Sequence, residues 1–183
     1  MTTRRPRSLI VWVAQGFGAG RIPVAPGTFG SVVGVGWLLL LLLPRNSWFF
    51  SSMVILTAFG SVWICGIVEK LLNQTDPPSV VLDEIIAVPF CFAGWIGLYY
   101  ARNGSMPSPD YFFQGTTWPL TLAVVLAFRI FDVWKPWPIR QSQRLSGGWG
   151  VTIDDLLAAL YVNLVTMIVF AFPGVVEKIV PLN

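Results

Sequence analysis

Residues 48–68 make 21 consecutive positions without a charged side chain. That length matches the roughly 20 residues an α-helix needs to cross the hydrocarbon core of a bilayer. Four further apolar stretches share its character: 29–43, ending in six leucines, then 85–100, 118–133 and 151–172. Helix breakers separate them, at Pro44-Arg45-Asn46-Ser47, at Asp76-Pro77-Pro78, across the Gly-, Ser-, Pro- and Asn-containing residues 101–115, in the basic stretch 134–150, and at Pro173-Gly174. The expectation is an all-α helical-bundle integral membrane protein: about five apolar helices, a Gly-rich N-terminal segment, and one domain over residues 1–183. Several stretches fall short of the bilayer ideal, so these helices are expected to tilt, re-enter or pack inside the bundle. Composition agrees, since only 11% of the 183 residues are charged against about 25% in soluble domains.

Basic residues between the spans set the orientation. With the N-terminus in the cytoplasm, Arg4, Arg5, Arg7, Arg21, Lys70, Lys135, Arg140 and Arg144 lie inside, against Arg45, Arg102 and Lys178 outside. Indoles prefer the membrane interface, and Trp48 and Trp118 fall with Tyr99 and Tyr100 at one side, Trp134, Trp137 and Trp149 at the other. The net charge of +3 is too mild and too scattered for a nucleic-acid footprint, and an anionic lipid bilayer is the expected partner. Cys65 and Cys91 stand alone in apolar runs, without the spacing of a metal site or a disulfide framework.

Histidine is absent. That removes His-assisted nucleophiles, phosphohistidine intermediates and His-ligated zinc, and leaves acid, base and metal work to carboxylates. Asp83 and Glu84 enter the third span, Asp132 ends the fourth, and Asp154 and Asp155 begin the fifth, so all five lie at one face. For Asp83 and Asp154, the positive end of the helix dipole is by itself a sufficient reason to carry an acid. Asp132 has no such reason, because it sits at the C-terminal end, although Arg129 and Lys135 are each three residues away. Carboxylates from three helices at a membrane face call for a shared cation. The surrounding Arg129, Lys135, Arg140 and Arg144 call for an anion. A magnesium ion held by carboxylates, with phosphate oxygens completing its shell, meets both demands. The Gly16–Gly20 segment, Arg21, Thr28 and Ser31 supply backbone N–H groups, hydroxyls and a guanidinium that suit an anion, while glycine clusters in membrane proteins also serve close helix packing.

Four blocks, in order, carry a family resemblance: Gly16-Phe17-Gly18-Ala19-Gly20 through Pro26-Gly27-Thr28-Phe29-Gly30-Ser31; Val81-Leu82-Asp83-Glu84-Ile85-Ile86; Phe128-Arg129-Ile130-Phe131-Asp132-Val133-Trp134-Lys135-Pro136-Trp137-Pro138-Ile139-Arg140; and Gly147-Gly148-Trp149-Gly150-Val151-Thr152-Ile153-Asp154-Asp155. The chain resembles the phosphatidylglycerophosphatase A family, departing from its pattern at Ala87, where the family carries Gly. The resemblance implies magnesium-dependent hydrolysis of phosphatidylglycerophosphate to phosphatidylglycerol and phosphate at the bacterial inner membrane, with the site facing the cytoplasm. It implies Asp83, Glu84, Asp132, Asp154 and Asp155 as metal and catalytic carboxylates. Arg21, Thr28, Ser31, Arg129, Lys135 and Arg140 become substrate contacts. Water and an aspartate both remain open as the nucleophile. A phosphatidyltransferase would need its aspartate motif on consecutive helical turns, which is missing, and a transporter would place acids near the midplane rather than at one face.

Overall fold

The structure, a computed structural model, describes residues 9–172 and 174–180. Arg4, Arg5 and Arg7 of the orientation argument, and Pro173 of the expected final break, lie outside that set. Every regular element among the described residues is helical: α1 (Leu9–Ala14), α2 (Pro26–Leu42), α3 (Ser47–Leu72), α4 (Leu82–Cys91), α5 (Ala93–Asn103), α6 (Trp118–Trp134), α7 (Ile139–Ser142), α8 (Gly148–Phe170) and α9 (Val175–Ile179), with 3-10 turns at Gly16–Arg21 and Pro109–Phe113.

The five expected apolar segments correspond to α2, α3, the α4–α5 pair, α6 and α8. Among the described residues three stretches are long and apolar enough to cross a membrane, Ser47–Leu72, Leu82–Asn103 and Gly148–Phe170. At 17 residues each, α2 and α6 reach only about 25 Å at 1.5 Å per residue. Local chemistry explains the boundaries. Asn46 caps α3 by accepting the Phe49 N–H at 2.9 Å. Pro26 opens α2, where its missing N–H is harmless. Lys135 closes α6 in the left-handed conformation, its N–H donating to the Phe131 carbonyl at 2.8 Å, and Pro136 forbids continuation.

The outward faces are apolar, with Ile55, Phe59 and Trp63 on α3, Leu126 and Ile130 on α6, and Leu164 and Ile168 on α8 all exposed. Such a belt is what hydrocarbon requires, and the α4–α5 pair runs through the middle of the bundle. Trp48, Trp118, Trp134, Trp137 and Trp149 are exposed at the helix ends, in keeping with an interfacial girdle. Tyr99 is different: it is buried and packs edge-on to Tyr111, so it belongs to the core and not to the girdle. There Phe92, Trp95, Tyr99, Tyr111, Phe112 and Phe170 form one aromatic cluster. Trp95 donates to the Tyr111 hydroxyl at 3.0 Å, and that hydroxyl donates to the Ile179 carbonyl, which ties α9 to the bundle. Burial pushes the Tyr111 hydroxyl up to about 12, which keeps it a donor.

The third apolar segment is not one helix. Pro89 lies inside α4, and the chain re-forms as α5 after Phe92. Asn163 on α8 repairs the break from outside, its amide donating to the Phe90 carbonyl at 2.5 Å and its oxygen accepting the Gly94 N–H at 2.7 Å. An Asn163→Leu change keeps the side-chain size and strands both backbone groups. It is expected to lower stability by about 1–2 kcal/mol, read as a fall in the melting temperature of the protein in detergent.

Candidate active site

Packing decides where the carboxylates meet. Along α2, Gly30 and Gly34 face α4: a Cβ built on Gly30 would come within 2.9 Å of Val81, and one on Gly34 within 2.8 Å of Val88. The close-packing reading of the glycine segment therefore holds for this stripe. It draws the start of α2 down onto the start of α4. The 3-10 turn joins the same seat, with Gln15 donating to Ser79 at 3.2 Å just ahead of α4. On the other side of the bundle, Ser61 of α3 and Thr152 of α8 share a hydrogen bond at 3.2 Å.

At this end of the bundle the starts of α2, α4 and α8 meet the end of α6, and the five carboxylates come together. Asp83, Asp132, Asp154 and Asp155 are buried and Glu84 is partly so. They divide into two groups. Oxygens of Asp83, Glu84 and Asp155 lie within 4.8 Å of one another, and so do oxygens of Asp132, Asp154 and Asp155. Asp155 belongs to both.

The two basic side chains bind unequally. Arg129 sits 2.6 Å from Asp132 and 3.8 Å from Glu84, bridging α6 to α4. Lys135 sits 2.5 Å from Asp154 and 3.9 Å from Asp132, bridging the end of α6 to α8. Burial opposes the charge on Lys135, but Asp154 against it outweighs that and holds its ammonium above the usual lysine value. Gln143, which the sequence did not single out, donates a further hydrogen bond to Asp154 at 3.1 Å. By contrast, Asp83 Oδ1, Glu84 Oε2 and Asp155 Oδ2 are buried without a hydrogen-bond partner among the described residues. Among the described residues five carboxylates face two cations, and each residue of the first group carries an unpaired oxygen.

Gly27 completes this wall. A Cβ there would stand 2.4 Å from Glu84 Oε1 and 2.7 Å from an Arg129 nitrogen, so the first turn of α2 lies directly against both. Among the described residues no side chain caps that turn, and the Thr28 and Phe29 N–H groups turn back to the Ala25 carbonyl. The other expected contacts are farther from the carboxylates. Arg21 donates to Gln15 at 2.7 Å, and Ser31 donates to the Gly27 carbonyl at 3.0 Å within its own helix. Thr28 and Arg140 are exposed at the same end. Among the described residues, none of these four bonds to a carboxylate of the cluster. Ala87 is buried in the core, one turn below Asp83. A separate polar cavity of about 310 Å³, lined by Arg45, Ser108, Tyr111 and Thr117 among others, opens at the other end of the bundle and contains none of the expected site residues.

A profile of the phosphatidylglycerophosphatase A family matches residues 12–170, taking in every carboxylate of the cluster. The chain belongs to the phosphatidylglycerophosphatase A family. It is 35% identical over 150 residues to the phosphatidylglycerophosphatase A of Escherichia coli, covering 81% of this chain and 76% of that protein. With the Haemophilus influenzae protein of the same name it shares 35% over 159 residues, covering 84% and 83%. It also shares 35% over 162 residues with a provisionally named phosphatidylinositol-3-phosphatase of Bacteroides thetaiotaomicron, covering 86% and 91%. No solved structure matches the chain. All three relatives are named as phosphatases of phosphorylated lipids, which is chemistry an acidic and guanidinium-bearing cluster at a membrane face can serve.

Proposed function

We propose that the chain hydrolyses phosphatidylglycerophosphate to phosphatidylglycerol and inorganic phosphate, with magnesium as cofactor, at the cytoplasmic face of the bacterial inner membrane. The observation that carries this reading is the set of three buried, unpartnered carboxylate oxygens on Asp83, Glu84 and Asp155 beside Arg129. Hard oxygen donors without histidine or cysteine suit magnesium rather than zinc. Asp83, Glu84 and Asp155 would hold the ion. When bound, it supplies charge neutralisation at the phosphoryl oxygens and an acidified water.

The chain's own groups do the remaining work. Arg129 is fixed by Asp132 and presents its guanidinium beside Glu84, where it grips phosphoryl oxygens as they gain charge. The start of α2 lies against the same place at Gly27, and the positive end of its dipole favours an anion there. Glu84 keeps a side-chain exposure of 15%, against 5% for Asp154, and so has the better route for passing the proton of an attacking water to solvent. The exposed Arg21 and Arg140 at this end hold the lipid's phosphodiester. The cytoplasmic orientation rests on charge: Arg21, Lys70, Lys135, Arg140 and Arg144 belong to the carboxylate end, and Arg45, Arg102 and Lys178 to the other.

The test uses protein purified in detergent and phosphatidylglycerophosphate, with released phosphate as the readout. Release is expected with magnesium, to vanish with a chelator, and to fall sharply in Asp132→Ala. Phosphatidylinositol 3-phosphate assayed beside it decides the head group, with the slower turnover expected there. No release with metal present, or full release by Asp132→Ala, would refute the proposal.

A further inference from the structure

Two trios of carboxylates sharing Asp155 look at first like the two halves of a two-metal site, in which ions about 3.5–4 Å apart clamp both the attacking and the leaving oxygen. The surroundings of the two trios are opposite. In the Asp132–Asp154–Asp155 trio the two members not shared with the other trio, Asp132 and Asp154, are already engaged by cations. Asp154 Oδ2 receives the Lys135 ammonium at 2.5 Å and the Gln143 amide at 3.1 Å, and Asp154 Oδ1 accepts the Asp155 N–H at 3.1 Å. Asp132 receives Arg129 at 2.6 Å on one oxygen and has Lys135 at 3.9 Å from the other. In the Asp83–Glu84–Asp155 trio, each residue contributes a buried oxygen without a partner, and Asp83 and Asp155 are more than nine-tenths buried.

We propose that Lys135 occupies the second cation position of the cluster, so that the protein takes one divalent ion, at Asp83, Glu84 and Asp155. This rests on the metal-dependent reading above and narrows it. An ammonium is a compact point charge that satisfies carboxylates much as a metal does, but it is tethered and cannot be diluted away. The backbone keeps it there: Lys135 is the left-handed residue that ends α6, its N–H is tied to Phe131, and Pro136 follows. A second divalent ion would have to evict that ammonium, which Asp154 already holds at 2.5 Å. Gln143 reinforces the arrangement, since a neutral amide donor on Asp154 serves an oxygen already engaged by a cation. The tethered charge then stands where a second ion would neutralise a phosphoryl or leaving oxygen.

The test counts metal. Full-length protein in detergent, stripped with a chelator, is equilibrated with Mn²⁺, freed of excess ion, and measured for manganese per chain and by electron paramagnetic resonance. Wild type is expected to hold one Mn²⁺ with an uncoupled six-line signal. Lys135→Gln, and independently Lys135→Met, should rise to two per chain with a spin-coupled signal, because the ions share Asp155. Adding Asp154→Asn to Lys135→Gln should return the count to one. In the wild-type background, Asp83→Asn should lose the single ion. Two ions in wild type, one in both folded Lys135 variants, or an ion retained by Asp83→Asn would overturn the inference while leaving a metal-dependent enzyme. No manganese in wild type would instead remove the metal-dependent reading itself.

Discussion

Asp155→Asn is expected to abolish phosphate release almost completely while leaving the protein as stable as before. Asp155 is the one carboxylate common to both groups of the cluster, and its Oδ2 is buried without a partner. Asparagine has nearly the same shape, so α8 keeps its packing, but the charge and one hard oxygen are lost. A fall of roughly 10³-fold corresponds to about 4 kcal/mol of barrier. Stability should move the other way or not at all. Among the described residues Asp155 makes no ion pair of its own, and it is surrounded by Asp83, Glu84, Asp132 and Asp154, so in metal-free protein it contributes repulsion more than attraction. The combined readout is therefore diagnostic: turnover near the detection limit, with a melting temperature in chelator equal to wild type or higher. A normal rate would show that the shared carboxylate does no chemistry, and a collapse in melting temperature would make Asp155 a structural residue.

Much of the architecture was readable before any coordinates, for a physical reason. A bilayer-length run without charge has few alternatives, and the expected segments 29–43, 48–68, 85–100, 118–133 and 151–172 each became helical within a few residues. What escaped depends on contacts distant in the chain. The third segment was expected as one apolar stretch, and its break at Phe92 is held by Asn163, on another helix, which bonds both sides of it. Tyr99 looked like an interfacial ring because its body is apolar and its tip polar, and only the fold reveals Tyr111 beside it. The short helices α1, α7 and α9 span too few residues to show a period. For the site, the acids at span ends were legible, above all Asp132, whose place at a helix C-terminus had no local explanation. Their partners were less so. Arg129 and Lys135 were visible at a spacing of three residues from Asp132, but the reach of Lys135 to Asp154, and the part of Gln143, follow from how the connector folds over α8.

Gly27 gives the second large effect, and it comes from a residue with no side chain. Gly27→Val places a Cβ where Glu84 Oε1 and both terminal nitrogens of Arg129 already lie, at 2.4, 2.7 and 2.9 Å. Contacts below 3 Å are not tolerated, so something must shift. The backbone of α2 is held by its glycine stripe against α4, whereas the ends of Glu84 and Arg129 are flexible, so those ends move. A displacement of about 1 Å in a group that positions a reacting phosphate is worth roughly 10²-fold in rate. Turnover of Gly27→Val should fall by about that factor, Gly27→Ala by less, and helix content should be unchanged in both. Gly36, on the same helix, is the control, because a Cβ there meets nothing within 4 Å. Gly36→Ala should keep the wild-type rate and gain up to about 1 kcal/mol from helix propensity. If Gly27→Val turned over as fast as Gly36→Ala, the start of α2 would be a wall of the bundle only, and the pairing of Glu84 with Arg129 would have no part in catalysis.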